Sequence, residues 1–135
     1  MSKISPFCPK KYPKFPKLKG LTFYTFHAGF KKIKKDLLII LFDKLATVSG
    51  KTTKSSLLAA PNIWNKKIFH YGRCKTLIVN SGIANAYTGR HGINAVKNYV
   101  NFASKKFKCS EKEVYVSSTG VIGSKLDYTK INKVL

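Results

Sequence analysis

Three short apolar runs, each closed by charged or small polar residues, constrain this chain more than any other feature. Leu37-Leu38-Ile39-Ile40-Leu41-Phe42 stands between Asp36 and Asp43. An apolar run that short between charges suits a strand buried on both faces. Leu77-Ile78-Val79 makes a second strand, and Glu113-Val114-Tyr115-Val116 a third. They stop at Asn80-Ser81-Gly82 and Ser118-Thr119-Gly120, residue types that favour turns. Between these two strands, Ile93, Val96, Val100, Ala103 and Phe107 recur at spacings of three and four, which lines them along one helix face. Lys105, Lys106 and Lys108 fall near the C-terminal end of that helix, where its dipole favours cations. The pattern predicts a mixed α/β class. Ahead of it, residues 1–14 carry Pro6, Pro9 and Pro13 among lysines and read as a basic, extended tail.

Apolar residues make up 44% of the 135, enough to build a packed core in one domain. The charge balance, 26 Lys+Arg against 5 Asp+Glu, would suit a polyanion or an anionic membrane surface. Yet only Arg73 and Arg90 are arginines, and arginine is the residue suited to bidentate phosphate and guanine contacts. The lysines are scattered, so a solvated basic surface is the expectation, with no specific nucleic acid and no membrane as partner. The longest apolar run is far too short to span a bilayer, and the first residues lack the apolar stretch of a signal peptide. Cys8, Cys74 and Cys109 are odd in number and far apart, without metal-ligand spacing. These features fit free thiols in a reducing cytoplasm, and no metal.

Few residues offer chemistry. His27, His70 and His91 have no carboxylate or cysteine partner nearby in sequence, and five acids are too sparse to suggest an acid/base pair. What remains is the pair of glycine-containing strand ends. Glycine lets a ligand approach a backbone N–H closely, and a hydroxyl beside that N–H can stabilise an anion.

Four blocks in order sharpen this. Ala28-Gly29-Phe30-Lys31-Lys32 is followed by Lys35-Asp36-Leu37, then by Ala59-Ala60-Pro61. Asn80-Ser81-Gly82-Ile83-Ala84-Asn85-Ala86 comes next, with Thr88-Gly89 and Gly92, and Ser118-Thr119-Gly120-Val121-Ile122-Gly123 last. Together they resemble the ornithine acetyltransferase family, also called bifunctional glutamate N-acetyltransferase, from about Phe15 to Leu135.

The resemblance implies an incomplete layered α/β sandwich of the DmpA/ArgJ type, with residues 15–135 a partial α-chain domain. It implies transfer of acetyl from N-acetylornithine to glutamate, with acetyl-CoA used by some members and no cofactor retained. The family's precursor cleaves itself before a threonine, which becomes the nucleophile at the β-chain N-terminus, with its α-amine as local base. In the S-T-G-V-I-G block, the hydroxyl of Thr119 and the N–H of Gly120 are implied as the oxyanion hole. None of Thr47, Thr52, Thr53, Thr76, Thr88 and Thr129 lies in a cleavage segment. No nucleophile is therefore assigned to this chain, and a C-terminal β-chain portion is its expected partner. Gly50-Lys51-Thr52-Thr53 and Ser55 depart from the family's pattern, as does Ile83 where asparagine is usual. Burying Lys51 without a partner would be costly, so a local difference is expected there. Two other readings remain at this point: a non-catalytic truncated remnant or binding piece, and a basic nucleic-acid-binding module.

Overall fold

The computed structural model describes residues 6–9 and 11–135. Four strands form one sheet in the order β1-β2-β3-β4: β1 Leu21–Phe26, β2 Leu37–Thr47, β3 Arg73–Ile83 and β4 Val114–Val121. β1 pairs antiparallel with β2 and β2 antiparallel with β3, whereas β4 runs parallel to β3. A parallel partner requires a long crossover, and helix α2, Gly89–Lys106, provides it. Helices α1, Ala60–Ile68, and α3, Tyr128–Val134, complete the elements. The mixed α/β expectation holds.

The core lies between the sheet and the helices. Leu37, Ile39, Ile78, Val114 and Val116 meet Val96, Tyr99, Val100 and Ala103 of α2, with Ala60 from α1 and Ile131 from α3. The α2 face is as its spacing predicts, with Tyr99 added at its centre. Alternation exposes the other side of the sheet. Leu38, Ile40, Leu77 and Val79 are only half-buried, so β2 is covered on one face rather than on both. Beneath one end of the sheet, Ile68, Cys74 and Tyr115 form a second small cluster with Phe42, Phe69 and Trp64.

Both predicted stops are displaced. Asn80-Ser81-Gly82 and Ser118-Thr119-Gly120 lie inside β3 and β4, not in turns after them. Their turn-forming residues instead hold the two strands to each other, as described below. Glu113 belongs to a short 3₁₀ turn ahead of β4, where its carboxylate accepts from the Ser110 N–H. Residues 1–5 and 10 of the proline-containing tail lie outside the described residues, and its others are exposed. Lys51 is exposed as well, so no lysine charge is buried at that departure.

β4 is the edge of the sheet, and an open edge leaves donors and acceptors unmatched. Helix α1 covers its first half with two side chains. Trp64 donates its indole N–H to the Val114 carbonyl at 2.9 Å. Asn65 acts as a substitute strand: its Nδ2 donates to the Val116 carbonyl at 2.7 Å and its Oδ1 accepts the Val116 N–H at 3.1 Å. Asn65→Ala orphans both groups of Val116, a loss of about 1–3 kcal/mol. Urea unfolding followed by Trp64 fluorescence should show it; a change below about 0.5 kcal/mol would remove Asn65 from this role.

Candidate active site

The carboxyl ends of β3 and β4 come together because the strands are parallel and in register. Asn80 pairs with Ser118, Ser81 with Thr119, and Gly82 with Gly120. Ligands of α/β proteins characteristically bind outside such ends. Asn80 is fully buried with both amide atoms partnered: its Nδ2 donates to the Ile83 carbonyl at 2.8 Å, and its Oδ1 accepts the Ser118 hydroxyl at 2.6 Å. Ser118 is thus committed to the scaffold. Thr119 projects from the opposite side of the strand. It is exposed, and its hydroxyl has no partner among the described residues.

The two glycines are required by close packing. Gly120 has φ +131°, and a Cβ there would overlap the carbonyl of Gly82. Gly82 has φ +109°, and a Cβ there would stand 3.1 Å from both the Cβ and the carbonyl oxygen of Phe30. Gly82 and Gly120 therefore pack backbone against backbone, and Phe30 closes on Gly82 with its Cβ and carbonyl.

Strand alternation gives the direction of the Gly120 N–H. In a strand, the N–H and C=O of every second residue point to the same side. Both groups of Val116 point outward to Asn65, while the Val121 carbonyl points inward and accepts from the Ala84 N–H at 2.9 Å. Ser118 and Gly120 share the parity of Val116, so their N–H groups face the edge that α1 no longer covers. Residues 119–123 are exposed there.

The following loops are laced together. Gly123 donates to the Ala86 carbonyl at 2.9 Å. Buried Asn85, at φ +49°, donates to the Gly92 carbonyl and accepts the Thr88 hydroxyl at 2.9 Å. A side chain on Gly92 would collide with that pair. Beside these loops opens an apolar groove of about 740 Å³, lined in part by Leu57, Ile63, Tyr87, Ile93 and Ile122. Ile83 packs partly buried against the core, an apolar role at the position where the family has asparagine.

Sequence reading missed Asp36. It is 3% exposed, and its carboxylate accepts N–H groups from Ala28 and Phe30 at 2.6 Å and from Lys31 at 2.8 Å. His27, expected to be isolated, lies 3.7 Å from it. Burial pushes the carboxyl pKa up, but the three N–H donors and His27 outweigh it, and the pKa lies below the usual value. The pairing of β1 with β2 brings the two residues together, since Phe26 and Leu37 are register partners.

The remaining candidates stay apart. Burial pushes the Cys74 thiol up to about 11 and also raises that of Cys109, so neither is a thiolate at neutral pH. Among the described residues, no three His, Cys, Asp or Glu side chains could hold a metal ion. No helix among them is long and apolar enough to cross a membrane.

Fold and site together define an α/β protein whose parallel strands end in a glycine-lined edge. The ArgJ family model matches residues 22–135, and the chain belongs to that family. It corresponds to the family's N-terminal, α-chain portion. It is 40% identical over 135 residues to the arginine biosynthesis bifunctional protein ArgJ of Bradyrhizobium diazoefficiens, covering 99% of this chain and 33% of that protein. The Mesorhizobium japonicum protein of the same name is 42% identical over 133 residues, with 98% and 32% covered. The chain thus spans about a third of the length of the curated relatives it matches. Among solved structures it is similar to ArgJ of Bacillus halodurans, with a TM-score of 0.81 and 33% identity over 86% of this chain and 61% of that one. It is also similar to the ornithine acetyltransferase of Mycobacterium tuberculosis, solved with ornithine, with a TM-score of 0.73 and 28% identity over 85% and 63%.

The lowered Asp36 pKa has a consequence for stability. A carboxyl whose folded pKa is depressed stabilises the fold above its unfolded value, about 3.9, and that contribution is lost as pH falls through the folded value. Asp36→Asn should therefore melt well below the unaltered chain at pH 7, with the gap narrowing below about pH 4. Thermal melts across that range decide it; a gap that is constant with pH would mean that the carboxylate charge is not what holds the loop.

Proposed function

We propose that this chain is the α-chain portion of an acyltransferase that moves acetyl from N-acetylornithine to glutamate in arginine biosynthesis. The observation that carries the reading is the uncovered edge of β4, where the Gly120 N–H faces outward beside the unpartnered hydroxyl of Thr119. In acyl transfer, the attacked carbonyl oxygen becomes negative in the tetrahedral intermediate. Donors already in place when that charge develops lower the barrier without reorganising. Thr119 and Gly120 are assigned that role.

The nucleophile is assigned to none of this chain's threonines. It belongs in this reading to a C-terminal β-chain portion released by self-cleavage, whose N-terminal threonine attacks with its own α-amine as base. The hydroxyl takes the acetyl as the amide C–N bond of N-acetylornithine breaks and ornithine leaves with the proton. The glutamate amine then takes it from the ester and restores the hydroxyl. Acetyl-CoA, a thioester that releases a thiol, is a second acetyl source. Residues 15–135 form a partial domain in this scheme. No cofactor or metal enters the reaction, and a reducing cytoplasm suits the three free thiols. The exposure of Lys51 supports a foldable chain over a defective remnant, because the burial cost expected there is not incurred.

Two measurements test the proposal. The chain alone should form no labelled N-acetylglutamate from N-acetylornithine and glutamate, and turnover that survives repurification would contradict it. Supplied with the remaining two-thirds of a relative such as the Bradyrhizobium protein, it should gain activity. In that complex, Thr119→Ala should lower kcat by about 10²–10³-fold, with KM for N-acetylornithine little changed. Thr119→Ser, which keeps the hydroxyl, should retain most of the rate. A folded Thr119→Ala complex at near-full kcat would remove Thr119 from the oxyanion site.

A further inference from the structure

We infer that Asp36 is a positioning residue for Gly120, acting through the loop Ala28–Lys31 and through Gly82. The inference rests on the reading of Gly120 as an oxyanion donor for its catalytic consequence, but the contacts that carry it are independent of that reading.

The buried carboxylate gathers the N–H groups of Ala28, Phe30 and Lys31 around its two oxygens, with donor distances of 2.6–2.8 Å. Three donors converging on one ionised acceptor fix a loop more firmly than neutral bonds would. The backbone of Asp36 ties the same point to the sheet. Its N–H donates to the Phe26 carbonyl at 2.9 Å, and its carbonyl accepts the Ser81 N–H at 2.8 Å. Ser81 is the register partner of Thr119. One residue thus holds both the loop and the strand that the loop covers.

The next link is steric. Phe30 crowds Gly82, its Cβ and carbonyl oxygen lying 3.1 Å from where a Cβ on Gly82 would stand, and Gly82 places its carbonyl where a side chain on Gly120 would be. Interiors packed this closely transmit a displacement rather than absorb it. If the loop moves outward, Gly82 is free to follow, and the seat of Gly120 changes with it. From the other side, α3 braces the loop: Lys130 donates to the Gly29 carbonyl at 2.9 Å and lies 5.7 Å from the centre of the Phe30 ring. His27, at the start of the loop, lies 3.7 Å from the carboxylate, and Lys130 of α3 reaches the loop at the Gly29 carbonyl. Neither can replace it, because the N–H groups of the loop require an acceptor.

The experiment uses the ¹⁵N-labelled chain at pH 7 and reads the amide resonances of Gly82 and Gly120. Asp36→Asn replaces one acceptor oxygen by a donor. It should shift both glycine resonances together with those of Ala28, Phe30 and Lys31, while Tyr99 and Val100 in α2 stay in place. Val100→Ala, a core change in α2, is the control; it should lower the melting temperature without moving the two glycines. A folded Asp36→Asn chain that shifts the loop resonances but leaves Gly120 unmoved would overturn the inference. Should Asp36→Asn not fold, Asp36→Glu keeps the charge and both oxygens but adds a methylene, which pushes the loop outward. Its Gly82 and Gly120 resonances should then move, and an unmoved Gly120 overturns the inference equally. The readout is position and not rate. A coupled Gly120 that proves catalytically silent would thus contradict the proposed function while leaving the positioning intact.

Discussion

Gly82 packed backbone to backbone on Gly120, with Phe30 closing on Gly82, is the contact from which the rest of this site follows. It needs glycine at two positions that are not neighbours in sequence, and it needs β3 and β4 parallel and in register. Parallel pairing in turn demands the α2 crossover, whose apolar face builds the core against which both strands lie. Once the strands are so placed, their small polar residues divide the work. Asn80 and Ser118 turn inward and bond to each other, while Thr119 and the Gly120 N–H remain at the uncovered edge.

The edge itself is divided with similar economy. Where β4 lies under α1, Trp64 and Asn65 supply the hydrogen bonds that a fifth strand would have made. Beyond Val116 no described residue supplies such cover. An uncovered edge is usually a hazard, because it recruits other strands. At this end of β4 it is also what leaves a backbone donor unmatched, and the same two N–H groups, of Ser118 and Gly120, serve either description. The half-buried face of Leu38, Ile40, Leu77 and Val79 on the other side of the sheet is a second surface left open by a single helical layer.

The legibility of the sequence followed the range of the interactions. The α2 face and the cores of β2, β3 and β4 were visible because their patterns repeat locally. The α1 and α3 helices were not read as elements, being short and weakly patterned, although Pro61 near the start of α1 is a fair helix-opening signal. Strand β1 is not legible, because Thr22-Phe23-Tyr24-Thr25 is rich in β-formers but does not alternate. That hides the meeting of His27 with Asp36, since only the β1–β2 hairpin brings them together. Asn80-Ser81-Gly82 reads as a turn because its residue types are those of turns. Here the asparagine spends its hydrogen bonds across strands, and the glycine answers to the approach of Phe30, fifty-two residues earlier. The strand end that holds Thr119 and Gly120 stands out locally as one of two glycine-containing ends, and only the resemblance to a family selects this pair for an oxyanion role.

The central claim is that an acyl oxygen accepts hydrogen bonds at the end of β4. The most direct measurement is the infrared stretch of a ¹³C-labelled acetyl carbonyl, trapped on the threonine of a relative's β-chain portion in complex with this chain. A carbonyl held by the Thr119 hydroxyl and the Gly120 N–H should absorb at lower frequency than the same ester in water, and part of that displacement should vanish in Thr119→Ala. A carbonyl frequency equal to that of the solvated ester, unchanged by the substitution, would contradict the account.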